Sequence, residues 1–309
     1  MRHVLMRTAS GLVVLASVVL VASLGAQPQD RQGGPQTRTI YVSVLEKDTG
    51  KAVSGLTAAD FEVRDGTARK ITSVAVPATR AKLKVLVEAA LLGSTQQAIL
   101  SFSQRVLRNT DISIVSIGNN KNTVVVDDTS DIRRIRTGLG SVVLVPPGPG
   151  NSNAMADGIS EAARIFSRTK PKRPILVAIA SEVGGRSGET QDQALNDLRL
   201  SRAVLEVVAI GFGDGQQMLG PGIKPGGSLD RIQSLRILGE GPVQSGGRRI
   251  TISSWKMIQH ALTDVADDLD ARYALTYVVP AGETPQEWIS VSTNRASVTL
   301  LAPTRVNQN

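Results

Sequence analysis

The sequence predicts an α/β protein with a doubly wound, mostly parallel sheet flanked by helices. Four short aliphatic runs are typical of strands buried on both faces, namely residues 83–87, 112–117, 175–180 and 204–210. Between these runs, apolar residues recur at helical spacing, and strands that alternate with helices favour a parallel sheet covered on both sides. We also predict a small N-terminal β unit before this region and a C-terminal β addition after it.

The chain begins with the pattern of a secretory signal. Basic residues precede an apolar run at 11–24, and Gly25-Ala26 offers small side chains for cleavage. We therefore predict a signal peptide at 1–26, a secreted or periplasmic protein, and no membrane span after cleavage, because the run is short for a spanning helix. An uncleaved anchor is the alternative. Residues 27–37, rich in Gln, Gly and Pro, predict a flexible linker.

Composition narrows the classes of protein that the chain can belong to. It has 309 residues, no cysteine and 3% aromatic residues, so disulfides and cysteine-based zinc sites are excluded. Cleavage at 26 removes two arginines and no acid, so 33 basic against 27 acidic residues leave a charge of +6. The densest basic groups, at 170–173, 133–136 and 248–249, lack the interleaved aromatics of single-strand binders. We therefore interpret them as solvated faces and expect no nucleic-acid partner.

Residues 38–79 contain stretches of alternating apolar and polar residues separated by turn residues, as expected of a small β unit. Its predicted elements are a strand at 39–45, a capped helical turn at Thr57, and a hairpin with strands at 61–64 and 69–76 around Asp65-Gly66.

Residues 80–280 carry the predicted α/β domain, and 281–309 carry the C-terminal β extension and tail. Apolar stripes predict four helices, at 98–106, 155–166, 194–198 and 257–269. Further strands are predicted at 123–126 as an antiparallel edge, at 271–279, and within 288–300. The acids at 264, 267, 268 and 270 are interpreted as a solvated face of the last helix.

The order of these elements resembles a von Willebrand factor A domain, and more narrowly the von Willebrand factor A-related family of Acidobacteria. The segments that carry the resemblance are GKAVSGLTAADFEV at 50–63, VLEVVAIGFGD at 204–214 and LDARYALTY at 269–277. The resemblance covers roughly residues 38–302. It implies the doubly wound fold already predicted from the strand and helix pattern.

The resemblance also implies a metal site, from which this sequence departs. Family members with an intact site hold Mg²⁺ or Mn²⁺ through Asp-x-Ser-x-Ser, a Thr and an Asp on three loops, and a partner's carboxylate completes the coordination. Here Glu88 is followed by Ala90 and Leu92 in place of the serines, while Asn153 and Glu182 stand at the other two loops.

Two hydroxyl ligands are therefore lost, and both retained acids are one methylene longer than the family's aspartates. Magnesium requires near-octahedral oxygen ligands at ~2.1 Å, so we expect weak binding of Mg²⁺ or Mn²⁺, or none, and no cofactor. The resemblance then implies a non-enzymatic protein-binding module with a degenerate metal site. Glu88, Asn153 and Glu182 would form a ligand-binding rim for an unknown protein partner; that the two acids are solvated loop residues is the alternative.

Two other interpretations complete the sequence analysis. The glycines of residues 211–215 follow a strand but do not open into a helix as a dinucleotide fingerprint requires, so this loop is only a candidate contact surface. An envelope hydrolase that uses carboxylates or His260 is the alternative function. No serine lies in a nucleophile-elbow motif, and this alternative depends on what the fold permits.

Overall fold

The computed structural model describes residues 34–118, 121–142, 155–181, 191–211 and 228–307, with side chains omitted over 228–235. The predicted signal peptide lies outside these ranges. Within them, no helix is long and apolar enough to cross a membrane.

The described strands and helices follow the chain in an order that begins and ends with strands. The strands are β1 (Gln36–Glu46), β2 (Phe61–Asp65), β3 (Thr67–Arg69), β4 (Ile71–Ala75), β5 (Ala81–Glu88), β6 (Thr110–Ile117), β7 (Asn122–Thr129), β8 (Pro174–Ser181), β9 (Val204–Ile210), β10 (Arg249–Ile252), β11 (Arg272–Val279), β12 (Ser290–Thr293) and β13 (Val298–Leu301). The helices are α1 (Ala89–Val106), α2 (Ile132–Gly140), α3 (Met155–Thr169), α4 (Gln191–Ser201), α5 (Ser228–Ser245) and α6 (Ile258–Asp270).

The largest sheet has six strands in the order β10-β9-β8-β5-β6-β7. Every neighbouring pair is parallel except β6 and β7, so β7 is the antiparallel edge strand that the sequence predicts. Successive residues of β8 face opposite sides: Ile175 and Val177 pack into one core and Leu176 into the other. Burial on both faces explains why these strands are continuous aliphatic runs.

Helices cover both faces of this sheet, which confirms the predicted fold class. Helices α1, α2 and α6 pack on one face, and α3, α4 and α5 pack on the other. Most predicted stripe residues are buried, but Met257 is 46% exposed. Met257 is not part of the buried stripe because it is the last residue of a 3-10 turn, Trp255–Met257, that precedes α6. The Ser254 hydroxyl caps this turn.

Two smaller sheets pack around a separate core. Their strand orders are β13-β1-β11-β4 and β12-β2-β3, and Val42, Val63 and Tyr277 meet in the core between them. The N-terminal and C-terminal β segments therefore form one β unit. Strand β11, which the sequence analysis groups with residues 80–280, pairs with β1 and β4.

The predicted return strand at 69–76 is two strands in the structure. Strand β3 completes the hairpin with β2, whereas β4 pairs with β11 in the other sheet. The chain thus crosses between the two sheets at Lys70. Alternation of side chains cannot show this crossing, since both strands keep a period of two.

Buried charges join the β unit to the six-stranded sheet. Arg272 of β11 is paired with Glu206 of β9, and the two residues are 2% and 0% exposed. The backbone N–H of Arg248 donates to the second Glu206 oxygen at 2.9 Å. The Ser43 hydroxyl of β1 donates to the Asp268 carbonyl at 2.9 Å. Since an unpaired charge would be costly here, the arrangement fixes how the two layers dock.

Asp268 corrects the prediction of a solvated acidic face on α6. Its side chain is fully buried and lies within ion-pair distance of the Arg248 Nε, although neither side chain makes an aligned hydrogen bond there. Burial raises the pKa of the Asp268 carboxyl to about 7, and the charge of Glu206 adds to the rise. The neighbouring Asp267, by contrast, is partly exposed and paired with Arg105.

Candidate functional site

The candidate site begins where β5 ends and α1 starts. Glu88 is the last residue of β5, and Ser181 is the last residue of the adjacent parallel strand β8. Because carboxyl ends of parallel strands share one edge of the sheet, the two residues meet there. Glu88 is only 5% exposed, so its carboxylate requires hydrogen-bond partners within the protein.

Ser181 supplies those partners. Its hydroxyl lies 2.7 Å and 3.0 Å from the two carboxylate oxygens of Glu88, and its backbone N–H donates to Oε1. A hydroxyl has one proton to donate and a carboxylate only accepts, so this proton is directed at Glu88. The first and third predicted loops therefore adjoin through a hydrogen bond between neighbouring strands.

Ala90 and Leu92, the two apolar residues that follow Glu88 at alternate positions, differ in their surroundings. Ala90 is exposed in the first turn of α1, whereas Leu92 is 1% exposed and packs in the core beneath that helix. The next hydroxyl of α1 that is buried, on Thr95, donates to the Leu91 carbonyl at 2.9 Å. Neither position 90 nor position 92 thus offers a side-chain oxygen, and Leu92 contributes to stability through burial.

The other two predicted rim residues, Asn153 and Glu182, lie outside the described residues, as does the glycine loop beyond Gly211. Within the described ranges, no three acidic or histidine side chains cluster as metal ligands. The side-chain oxygens described at this edge are the two of the Glu88 carboxylate and the one of the Ser181 hydroxyl, and they are hydrogen-bonded to each other. These three oxygens, beside two hydrocarbon side chains, do not by themselves make up the octahedral ligand set of magnesium.

His260 is the histidine to which the hydrolase alternative would assign catalysis. It is exposed on α6, and the described residues place no serine or carboxylate in hydrogen-bond contact with it. A general base needs such a contact with the group that it activates or with an orienting acid. The described structure therefore gives the hydrolase alternative no catalytic arrangement at this histidine.

A second candidate site, which was not among those predicted from the sequence, lies at the opposite end of the parallel strands. We call it the basic groove: a cavity of about 770 Å³ between β1, the ends of α3 and α4, and residues 303–307. Among the described residues, no acidic residue lines it. Its six cationic side chains are Arg38, Lys170, Lys172, Arg199, Arg202 and Arg305. Three of these are paired with acids that lie outside the lining, Arg38 with Asp65 and both Arg199 and Arg305 with Glu287.

The sequence contains one signal for the basic groove. The run at 170–173 is dense in positive charge, and its pattern alone favours a solvated face. Lys170 and Lys172 are exposed, whereas Arg173 is buried and donates to the Thr79 carbonyl, so the prediction of a solvated face is wrong for Arg173. The two lysines line the cavity along with residues far away in the sequence. Only the fold shows that β1 and the C-terminal segment complete its wall.

Comparisons with known proteins support no family assignment. No family model matches the chain, and no curated protein matches it. Among solved structures, it is similar to an aerotolerance-related membrane protein from Bacteroides fragilis NCTC 9343, with 16% identity, a TM-score of 0.43, and coverage of 60% of this chain and 98% of that one.

Two further structures are similar at the same level. The conserved hypothetical protein BatB from Bacteroides thetaiotaomicron has 13% identity and a TM-score of 0.42, over 60% of this chain and 98% of that one. The SpRpn10 VWA domain has 11% identity and a TM-score of 0.42, over 60% and 94%. Likeness at this level assigns no activity, so function is argued from the site itself.

Proposed function

We propose that this chain is a non-enzymatic, secreted or periplasmic protein-binding module of the von Willebrand factor A type whose metal site has been lost. The observation that carries the proposal is the state of Glu88. Both of its carboxylate oxygens accept hydrogen bonds from Ser181, at the strand end where a ligand or catalytic acid would need them free.

The chemistry of the neighbouring positions supports the same conclusion. A metal ion at Glu88 would compete with Ser181 for the carboxylate oxygens, and the side chains at positions 90 and 92 could offer it no oxygen. Placing a hydroxyl at position 92 would also put a polar group in a buried site, which costs about 1–3 kcal/mol without a partner. The module would then act through its surfaces, without a bound metal ion.

Metal titration of the purified full chain tests the loss of the metal site. We expect the melting temperature to stay unchanged in about 10 mM Mg²⁺ or Mn²⁺. A site occupied at a hundred times its Kd would stabilise the fold by about 2.7 kcal/mol, which the same scan detects. Glu88→Ala is the test variant and Glu62→Ala, at an exposed acid of β2, is its control. Tight binding that only Glu88→Ala abolishes would contradict the proposal.

A hydrolase screen tests the non-enzymatic part. Wild type, His260→Ala and Glu182→Gln are assayed against ester, peptide and glycoside substrates, and we expect no turnover by any of them. Turnover by the wild type that either substitution removes would establish the hydrolase alternative.

A further inference from the structure

One edge of β1 is open along the basic groove. On one side, β1 pairs with β11 from Gln36 to Ser43, and on the other it pairs with β13 only from Ser43 to Glu46. Residues 36–42 therefore have a second edge that pairs with no strand in the described part of the chain. Residues 36–41 of this stretch line the cavity.

The C-terminal segment leaves β1 where this open edge begins. After Leu301, which pairs with Ser43, the backbone N–H groups of Arg305 and Val306 donate to the carbonyls of Gln244 and Glu287. The sheet is thus split at one end, and the groove lies in the split. A free edge of about six residues, at ~3.4 Å per residue, is ~20 Å long and fits a short extended peptide.

The floor and rim of the groove differ in polarity. Phe166, Leu195 and Leu198 are buried residues of the floor. The exposed cations Lys170 and Lys172 stand on the rim, and the described residues give neither of them an ion pair. An apolar floor under a positive rim complements a segment whose side chains alternate between apolar and acidic.

The ends of α3 and α4 add a second observation. Both helices are followed by a basic residue in the left-handed conformation, Lys170 with φ 47° and Arg202 with φ 56°. Glycine is the usual residue at this position, since other side chains are strained there. Two adjacent helices therefore place cations beside the same groove in a conformation that favours glycine.

We propose that the basic groove binds an acidic extended segment of a partner protein, which adds as a strand to the open edge of β1 while its carboxylates pair with Lys170 and Lys172. The proposal rests on the protein-binding function above and specifies the chemistry of the partner. Main-chain hydrogen bonds would supply affinity along the edge, and the alternating side chains would supply specificity.

Peptide titration tests the proposal with defined probes. A fluorescent eight-residue peptide of alternating Val and Glu is titrated with the full chain, and its anisotropy gives the Kd. We expect saturable binding that is about tenfold weaker, or more, for the matched Val-Lys peptide, because every cation on the rim would then repel it. Absence of binding by the acidic peptide overturns the proposal.

N-methylation of the peptide separates strand addition from simple charge attraction. Only one edge of an added strand can pair with β1. Methylation of alternate backbone nitrogens should therefore weaken binding about tenfold or more for one set of positions and little for the other. Equal binding by the parent and both methylated peptides would show attraction by charge alone and would overturn the proposal.

Variants of the chain locate the binding site. Lys170→Glu with Lys172→Glu should weaken binding of the acidic peptide by about tenfold or more. Lys51→Glu with Lys256→Glu makes the same change in net charge at exposed sites outside the groove and should change it less than about twofold. Equal losses in the two double variants would overturn the assignment to the groove.

Thermal unfolding of each variant accompanies the titration, because cations near helix C-termini also offset the helix dipole. The peptide series uses the wild-type chain, so a destabilised variant does not compromise the test. Failure of the peptide to bind leaves the metal titration unaffected, and therefore the two proposals fail separately.

Discussion

Replacement of Asp268 by asparagine tests whether this buried carboxyl is protonated in the folded protein at pH values where an exposed carboxyl is ionised. The buried carboxyl has a pKa of about 7, against an ordinary value of 3.8, because burial and the nearby charge of Glu206 disfavour ionisation. Between about pH 4 and pH 7 the folded protein thus holds a proton that the unfolded chain has released. The free energy of unfolding should fall as the pH rises through this window, whereas the neutral amide of the variant has no such proton to lose.

The magnitude follows from the width of the window. A pKa difference of about 3 units corresponds to about 4 kcal/mol at pH values above 7. The Arg248 guanidinium loses its neighbouring anion in the variant, so the net gain at about pH 8 should be smaller, about 2 kcal/mol. The difference in the free energy of unfolding between variant and wild type should change by about 3 kcal/mol between about pH 5 and pH 8. This change does not depend on the loss of the anion beside Arg248, because that loss affects the variant at both pH values.

Urea denaturation at these two pH values measures the effect. Wild type, Asp268→Asn and Asp48→Asn are compared, the last being an exposed acid in the turn after β1. Asp268→Asn should gain stability relative to wild type as the pH rises, while Asp48→Asn should follow the wild type. A variant that differs from wild type equally at both pH values would show that Asp268 ionises normally and would refute the reasoning.

Two further predictions concern packing and the strand-end hydrogen bonds. Gly247→Ala should lower the free energy of unfolding by more than about 2 kcal/mol, because the new Cβ would overlap the Leu205 carbonyl. Gly140→Ala, which meets nothing within 4 Å, should be neutral or slightly stabilising in the same urea titration. Ser181→Ala should cost about 1–2 kcal/mol, since the buried Glu88 carboxylate loses its hydroxyl donor; an unchanged midpoint would contradict this.

The sequence could predict the four central strands of the six-stranded sheet because they satisfy a local rule, whereas the edge strand β10 was not predicted. A strand buried on both faces is aliphatic throughout, as residues 175–180 are, and no knowledge of its neighbours is needed. The same rule does not indicate the ion pair of Glu206, a buried acid in the middle of such a run. Its partner Arg272 is 66 residues further along the chain, and no local pattern connects the two.

The candidate sites were likewise only partly predictable from the sequence. Glu88 could be predicted because it follows a buried strand, where sites form in parallel sheets. No local sequence pattern indicates its partner Ser181, apart from its place at the end of the third strand run. The basic groove could not be predicted, because β1, the ends of two helices and residues 303–307 meet there only after β1 pairs with β11.

That pairing also sets an order for folding. All strands of the six-stranded sheet lie between residues 81 and 252, whereas the partners of β1 lie at 272–279 and 298–301. During synthesis, β1 therefore emerges early but cannot complete its sheet until the chain has been made as far as Leu301. Contacts of such long sequence separation slow folding, and an unpaired strand exposed meanwhile is open to pairing with other chains. The edge that we propose binds a partner in the folded protein belongs to the strand that stays unpaired longest.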